Sequence, residues 1–317
     1  MKAVTTTGWG LRPRLTTHEM PQPGDPGPDD VVVQVHAASV NPKDWKLNYH
    51  LAMLATPALT SRLPPLFGDD LAGTVVARGS NVTDFALGDA VYGMDMRLRT
   101  ASLAEQARIS QHCIAKKPAS LSFEQAAAMP LAALTALQGL RRGRAQAGSR
   151  VLLIGASGGV GTFAVQIARA MDCHVTGVCS GRNADFVREL GADEVIDYTA
   201  GDYRDSAGPF DLVFDVTSHE SPRSCARMIA DGGWFISTGG DARSMLGTPL
   251  YRMLGRNTAS ILVKPRRADL EELAAMVDDG KLRPIVDSEF DLADSEAAYQ
   301  RSRTGRCRGK VVIRVAQ

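Results

Sequence analysis

The stretch RVLLIGASGGVG, residues 150–161, decides the fold of much of this chain. Its first five residues form a short, mostly apolar run, which is typical of a strand buried on both faces of a parallel sheet. A glycine cluster follows at once, and beyond it Val160, Phe163, Ile167 and Met171 recur at helical spacing. The order of strand, glycine turn and helix predicts a dinucleotide-binding unit.

The glycines of this turn have a physical purpose. Glycine allows a tight turn and a close approach by a pyrophosphate, while the helix start offers free N–H groups and the positive end of its dipole. Gly161 would also let the helix and the strand pack closely. We predict that the turn contacts the cofactor through Gly155, Ser157, Gly158, Gly159, Val160 and Gly161. A glycine turn without a ligand is the alternative.

The end of the next predicted strand should select between NAD and NADP. An Asp or Glu there would accept hydrogen bonds from a ribose 2′-hydroxyl, but residues 180–183 read SGRN. A hydroxyl and a guanidinium suit a 2′-phosphate, so we predict NADPH (NADP) with Ser180, Arg182 and Asn183 as contacts. In the alternative, Arg182 is an ordinary loop residue and Asp185 supplies the acid.

Outward from this unit, strands and helices continue to alternate. Strands are predicted at 174–179, 194–198, 210–216, 234–238 and 260–264, and helices at 123–131, 185–190, 221–230 and 268–277. The alternation predicts an α/β domain with a doubly wound parallel sheet over residues 120–265. Residues 1–119 and the tail, 266–317, read instead as short strands between turns, and together predict a second, mainly β domain.

The composition excludes several classes of protein. The 317 residues are 44% hydrophobic and 22% charged, which rules out a disordered or fibrous chain. The 36 Lys and Arg against 35 Asp and Glu leave a net charge of +1, so nucleic acid and anionic membrane are not expected partners. Five cysteines, without a C-x-x-C pair, favour a reducing compartment. With no apolar leader or membrane-spanning run, we expect a cytoplasmic protein.

Several motifs together resemble the medium-chain dehydrogenase/reductase superfamily, specifically its zinc-independent quinone oxidoreductase branch. Besides the glycine turn, they are ASVNPKDWK at 38–46, FGDDLAG at 67–73, GDAVYG at 88–93, LAALTA at 131–136, LGADEVIDY at 190–198 and RGKVV at 308–312. The resemblance implies a Rossmann cofactor domain, a GroES-like catalytic domain and a possible homodimer.

The resemblance also bears on metal binding. In the zinc alcohol dehydrogenases of this superfamily a cysteine ligand falls at the position of Asn41 and a histidine ligand at that of Asp69. Both are replaced here, and residues 91–110 lack the cysteines of the structural zinc lobe. Carboxylates at Asp69 and Asp70 without a nearby Cys or His make a poor zinc site, so we predict no metal.

Without a Lewis acid, the acceptor should already be electron-poor, such as a quinone or an α,β-unsaturated carbonyl. Negative charge develops on its oxygen, and a preorganised donor there lowers the barrier. The resemblance implies that the segment around Asn41 lies beside the nicotinamide, which makes Asn41 and Lys46 the candidate catalytic donors. In the alternative, Asn41 caps a turn and Lys46 is a solvated surface charge.

The resemblance implies further cofactor contacts at Thr135, Tyr198, Gly239 and Lys310. Packing is the alternative for Tyr198, and the basic run that ends at Lys310 reads as a solvated face rather than an RNA site. The expected partner is a small electrophilic acceptor. Two rival functions share the fold: an acyl-thioester enoyl reductase, and a non-catalytic NADPH-binding protein like zeta-crystallin.

Overall fold

The computed structural model describes residues 1–7, 14–44, 68–95, 102–204, 208–238, 251–253 and 255–315. The chain forms two compact units. The first contains residues 1–131, 265–278 and 284–317, and the second contains residues 132–264 and 279–283. The sequence analysis put the first boundary at residue 119. In the structure the first unit extends to residue 131 and includes a helix at Phe123–Ala127, which packs mainly on the strands Asp30–Ser39 and Asp70–Arg78.

The elements are numbered along the chain. The strands are β1 (Lys2–Thr7), β2 (Arg14–Glu19), β3 (Asp30–Ser39), β4 (Asp70–Arg78), β5 (Ala90–Met94), β6 (Gln106–Ser110), β7 (Ile114–Lys116), β8 (Arg150–Ile154), β9 (His174–Cys179), β10 (Glu194–Asp197), β11 (Phe210–Asp215), β12 (Ile229–Ser237), β13 (Thr258–Ser260), β14 (Val286–Asp291) and β15 (Lys310–Arg314). The helices with defined ends are α1 (Phe123–Ala127), α2 (Pro130–Arg142), α3 (Gly159–Ala170), α4 (Ala184–Glu189), α5 (Arg267–Asp278) and α6 (Ser295–Arg303).

The first unit is built on a mixed sheet in the order β14-β15-β3-β4-β5-β7, with β6 also paired to β3. Only the pair β14–β15 is parallel. Val31, Val33 and Val35 of β3 alternate along the strand and are fully buried, so one face of β3 forms the core as a period of two requires. Because β15 pairs with β3, residues 284–317 belong to the first unit.

The second unit contains a parallel sheet in the order β10-β9-β8-β11-β12-β13. Numbered within the unit, this order is 3-2-1-4-5-6, the doubly wound order whose direction reverses between β8 and β11. Helix α2 approaches β11 closely through two glycines. A Cβ on Gly139 would overlap the Phe214 ring, and one on Gly143 would overlap Leu212.

Three predicted elements differ in the structure. The helix expected at 123–131 is split into α1 and α2, because Pro130 has no N–H to continue a helix and instead begins a new one. The strand expected at 260–264 lies instead at Thr258–Ser260, where Ser260 pairs with Ser237, the last residue of β12. Residues 222–228 are turns rather than a helix.

None of the described helices is long and apolar enough to span a membrane. All five cysteines are free thiols, and four of them are buried.

Candidate active site

The glycine turn lies at the carboxyl end of β8, beside the point where the strand order reverses. In open parallel sheets, ligands bind in the crevice at this edge. Gly158 is the N-cap of α3, where no side chain caps the helix and no acidic residue occupies the first turn. The first amides of a helix have no intrahelical partner, so this turn presents free N–H groups and a positive dipole end.

Two glycines of the turn are required by packing. Gly155 has φ +91°, and a Cβ there would lie 2.5 Å from Cγ2 of Thr217. A Cβ on Gly161 would overlap the carbonyl oxygen of Gly155 and lie 2.7 Å from the carbonyl carbon of Ala156. At Gly158, by contrast, the nearest atom would be 3.5 Å away. The turn therefore leaves bare, accessible backbone, and it fits the pyrophosphate of a dinucleotide.

The structure brings the predicted selectivity residues to the same edge. Asn183 Nδ2 donates to Ser157 Oγ at 3.0 Å, which links the turn after β9 to the glycine turn. Arg182 lies in that turn and is exposed, and Ser180 is half-buried. The Asp185 carboxylate, the alternative acid, pairs with Arg188 at 2.8 Å. The prediction for Arg182 and Ser180 remains open to experiment.

Tyr198 follows β10 on the same edge. Its backbone N–H donates to Cys179 O at 3.1 Å, and its side chain is 54% exposed. Asp197 accepts hydrogen bonds from the Thr199 hydroxyl and backbone N–H, which lower the pKa of its carboxyl group. The 54% exposure of the Tyr198 side chain favours a surface role over the packing alternative.

Thr135 lies buried on α2 in the second unit, where the sequence analysis expected a residue near the nicotinamide. Lys46 and Gly239 lie outside the described residues.

Asp215 is an organising residue that the sequence analysis missed. Its buried Oδ1 accepts the Thr217 N–H at 2.8 Å, the Thr217 hydroxyl at 2.6 Å and the Ser218 N–H at 3.1 Å. Its Oδ2 accepts the Glu220 N–H at 2.8 Å. Thr217 is the residue that packs against Gly155, so Asp215 fixes the loop beside the glycine turn. An acid at the carboxyl end of a predicted strand was the available signal.

The first unit contains a buried polar cluster built by strand register. Ser39 pairs with Asp70 across β3 and β4, and with Val312 across β3 and β15. Antiparallel pairing therefore carries Lys310, two residues before Val312, toward Asn41, two residues after Ser39. Residues distant in sequence meet at the end of one sheet.

The centre of this cluster is Asp70. Its Oδ2 accepts Ser39 Oγ–H at 2.6 Å and Asn41 Nδ2–H at 2.8 Å, while its Oδ1 accepts the Leu131 N–H at 2.7 Å. Lys310 Nζ donates to Asn41 Oδ1, to Val40 O at 3.2 Å and to Asp70 Oδ2 at 3.5 Å. Burial of an ion pair is tolerated only when its remaining donors and acceptors are also satisfied, as they are here.

Asp44 and Asp69 extend the cluster. Asp44 Oδ2 accepts the Asn41 N–H at 2.9 Å and the Tyr299 hydroxyl at 3.3 Å, while Asp69 forms an ion pair with Lys43. Burial, reinforced by Asp69, raises the pKa of Asp44 to about 8. Burial also raises the pKa of Asp69 to about 6, against the opposing effect of Lys43.

The geometry bears on two predicted site residues. Asn41 is 1% exposed, and both ends of its side-chain amide are bonded within the cluster. Lys310 is 4% exposed, and its ammonium has three acceptors there. This arrangement favours the structural alternative for Asn41 over direct contact with an acceptor. For Lys310 it favours a structural role over contact with a cofactor phosphate.

The residues at the zinc-ligand positions do not fit zinc. Asn41 is an amide committed to Asp70 and Lys310, and the Asp69 carboxylate already pairs with the Lys43 ammonium. Zinc sites of this type need thiolate or imidazole ligands. Across the described ranges, no group of three or more His, Cys, Asp or Glu residues is placed to hold a metal ion.

Comparison with known proteins agrees with both units. The alcohol dehydrogenase GroES-like domain family matches residues 27–138, and the zinc-binding dehydrogenase family matches residues 190–313. The chloroplast envelope quinone oxidoreductase homolog of Arabidopsis thaliana is 32% identical over 305 residues, 91% of this chain and 90% of that protein. The chain belongs to the medium-chain dehydrogenase/reductase superfamily, in its quinone oxidoreductase branch.

Other members of this superfamily are similar over nearly the whole chain. The human mitochondrial NAD(P)H oxidoreductase RTN4IP1 is 32% identical over 329 residues, 91% of this chain and 82% of that protein. The solved structure of the quinone oxidoreductase from Coxiella burnetii has a TM-score of 0.88 and 30% identity, and covers 100% of this chain and 99% of that chain. The predicted superfamily and fold are confirmed.

Proposed function

We propose that this superfamily member is an NADPH-dependent oxidoreductase that transfers hydride, without a bound metal, to a quinone or an α,β-unsaturated carbonyl compound. The observation that carries the proposal is the uncapped start of α3 behind a glycine turn in which a Cβ at Gly155 or Gly161 would overlap neighbouring atoms. The similarity to a quinone oxidoreductase and to an NAD(P)H oxidoreductase supports the same reaction class.

When bound, NADPH supplies the hydride. In the proposal, the backbone of residues 155–161 binds its pyrophosphate, and Ser180, Arg182 and Asn183 surround its 2′-phosphate with donors and positive charge. Thr135, Tyr198 and Gly239 are proposed as further contacts. The acceptor must be electron-poor because the residues at the zinc-ligand positions do not supply a Lewis acid.

Calorimetry and turnover test the proposal together. We expect NADPH to bind in calorimetry and to be oxidised in the presence of 9,10-phenanthrenequinone or 2-cyclohexenone, with no stoichiometric zinc in the purified protein. Binding without turnover would favour a non-catalytic protein, and turnover of crotonyl-CoA alone would favour an enoyl-thioester reductase. Absence of binding by either coenzyme would overturn the whole proposal. Cytoplasmic location and a homodimer remain predictions.

Arg182→Glu tests the choice of NADPH over NADH. Reversing a charge beside the 2′-phosphate should lower the ratio of NADPH to NADH affinity by at least about tenfold, which corresponds to about 1.4 kcal/mol. The matched control is Arg188→Glu on α4, which makes the same change in net charge. If both variants keep the wild-type ratio, Arg182 does not select the coenzyme.

A further inference from the structure

The polar cluster of the first unit contains two lysines that differ in access. The Lys310 side chain is 4% exposed, and each of its three N–H groups has an acceptor in the cluster. The Lys43 side chain is 30% exposed, and its partner Asp69 is 11% exposed. Lys310 therefore has no donor to offer a ligand, whereas Lys43 lies where the cluster reaches solvent.

The ammonium of Lys43 forms an ion pair with Asp69. An ammonium group carries three N–H donors. Asp69 is itself fixed, because its carbonyl oxygen accepts the Asp95 N–H at 3.3 Å and the next residue is the bonded Asp70. A partly exposed cation is thus positioned by a largely buried carboxylate.

A partly exposed ammonium suits a negative charge that develops on an acceptor oxygen. Asn41 lies two residues earlier, and both the oxygen and the nitrogen of its side-chain amide are bonded within the cluster. It is therefore a weaker hydrogen-bond donor to an acceptor than the neighbouring ammonium. Hydrogen bonds from a charged donor are roughly twice as strong as neutral ones. A preorganised donor of this kind is among the largest single contributions to catalysis of carbonyl chemistry.

We propose that Lys43 is a catalytic residue that donates a hydrogen bond to the acceptor oxygen, and that Asp69 positions it. The inference rests on the proposed function. Hydride adds to the β-carbon of an enone, the C=C electron pair moves to form the enolate, and its oxygen takes the negative charge. Lys43 stabilises that charge, and solvent supplies the proton that adds at the α-carbon.

The first test compares three variants in steady-state turnover of 2-cyclohexenone with NADPH. Lys43→Ala should lower kcat by about 100-fold, the usual loss for one such donor, with the KM for NADPH unchanged. Lys43→Arg, which keeps a cationic donor, should recover most of kcat. Lys116→Ala is the matched control, because Lys116 also pairs with an aspartate, Asp89 at 3.2 Å, but is 65% exposed. It should keep kcat within about twofold, as expected for an exposed pair.

The second test measures binding without turnover. With NADP+ bound, 4-nitrophenolate stands in for the enolate, and neutral 4-nitroanisole is its control. Lys43→Ala should weaken binding of the phenolate by about tenfold, or about 1.4 kcal/mol, and leave 4-nitroanisole unchanged. Asp69→Asn should lower the phenolate affinity less, because the ammonium remains but is no longer held by a carboxylate.

Different results would contradict the proposed function and the proposed role of Lys43. If wild-type protein reduces no acceptor, the proposed function is wrong. If it reduces 2-cyclohexenone and Lys43→Ala matches Lys116→Ala in kcat and in phenolate affinity at an unchanged melting temperature, Lys43 has no catalytic role.

Discussion

The glycine turn of the second unit and the polar cluster of the first differ in the chemical groups that form them. The turn consists of consecutive residues, 155–161, and works through bare backbone. The cluster joins residues 39–44, 69–70 and 310 and consists of buried charge. At Gly155 and Gly161 the turn has no room for an added Cβ, whereas the ionic cluster is destabilised by a missing partner. This difference determines which substitutions should harm each region.

The largest loss of stability is expected in the cluster. Lys310→Met leaves Asp70 buried without its cation, which should lower the free energy of unfolding by about 3–5 kcal/mol in urea denaturation. Arg314→Met on the same strand removes only half-exposed pairs and should cost about 1 kcal/mol or less. The NADPH Kd should be unchanged in both folded variants. A weakened Kd with full stability would instead assign Lys310 to the cofactor phosphate.

The largest loss of binding is expected in the turn. Gly161→Ala places a methyl group on the Gly155 carbonyl and should weaken NADPH binding in calorimetry by at least about 100-fold, or about 2.7 kcal/mol. The control is Gly201→Ala, since a Cβ at Gly201 meets nothing within 4 Å. Equal affinities in the two variants would show that the close packing at Gly161 is not needed for the site.

A smaller loss of NADPH binding is expected from a substitution at one edge of the doubly wound sheet, and none from a substitution at the other edge. Asp215→Asn replaces an acceptor of the Glu220 N–H or of the Thr217 and Ser218 amides with an NH2 group, which should loosen the loop against Gly155. We expect about tenfold weaker NADPH binding, or about 1.4 kcal/mol. Asp211→Asn is the matched control.

Asp211 lies on the same strand but at the opposite edge, where its Oδ2 accepts the Arg150 N–H at 2.8 Å. Both variants should melt at a lower temperature, and only Asp215→Asn should change the Kd. A change in Kd shared by both would mean that general loosening, rather than the loop, weakens binding.

The last effect concerns pH and belongs to the cluster alone. The pKa of Asp44 is about 8 in the folded protein and about 4 in an unfolded chain, so the folded state binds the extra proton between these values. This contribution is present below about pH 4 and is lost as pH rises through about 8. Asp44→Asn keeps an acceptor for Tyr299 and the Asn41 N–H, and should flatten the fall in urea stability from pH 5 to 8. If Asp44→Asn and the wild type lose urea stability with the same slope between pH 5 and 8, a group other than Asp44 binds the proton.

Much of the second unit is predictable because its signals are local. The strands at 150–154 and 174–179 match the sequence analysis, since a continuous apolar run between turns has few other solutions in an α/β chain. The helix predicted at 221–230 does not form: residues 222–228 are turns, and β12 begins at Ile229. Nothing in their spacing excludes a helix.

The candidate site divides in the same way. The glycine turn and the selectivity residues follow two predicted strands directly, so their shared edge was predictable from strand order. The burial of Asn41 and Lys310, the pairing of Lys43 with Asp69 and the loop held by Asp215 were not, because each depends on partners brought in by register or by a loop.

The sequence by itself determined the glycine turn that we propose to bind the cofactor, because backbone that accepts a phosphate closely requires glycine, and glycine is visible in a sequence. Only the tertiary structure decided which polar side chains remain available for chemistry. A lysine or an asparagine looks the same in sequence whether its donors are saturated or free. The register between β3, β4 and β15 buries Lys310 and Asn41, and it leaves Lys43 partly exposed.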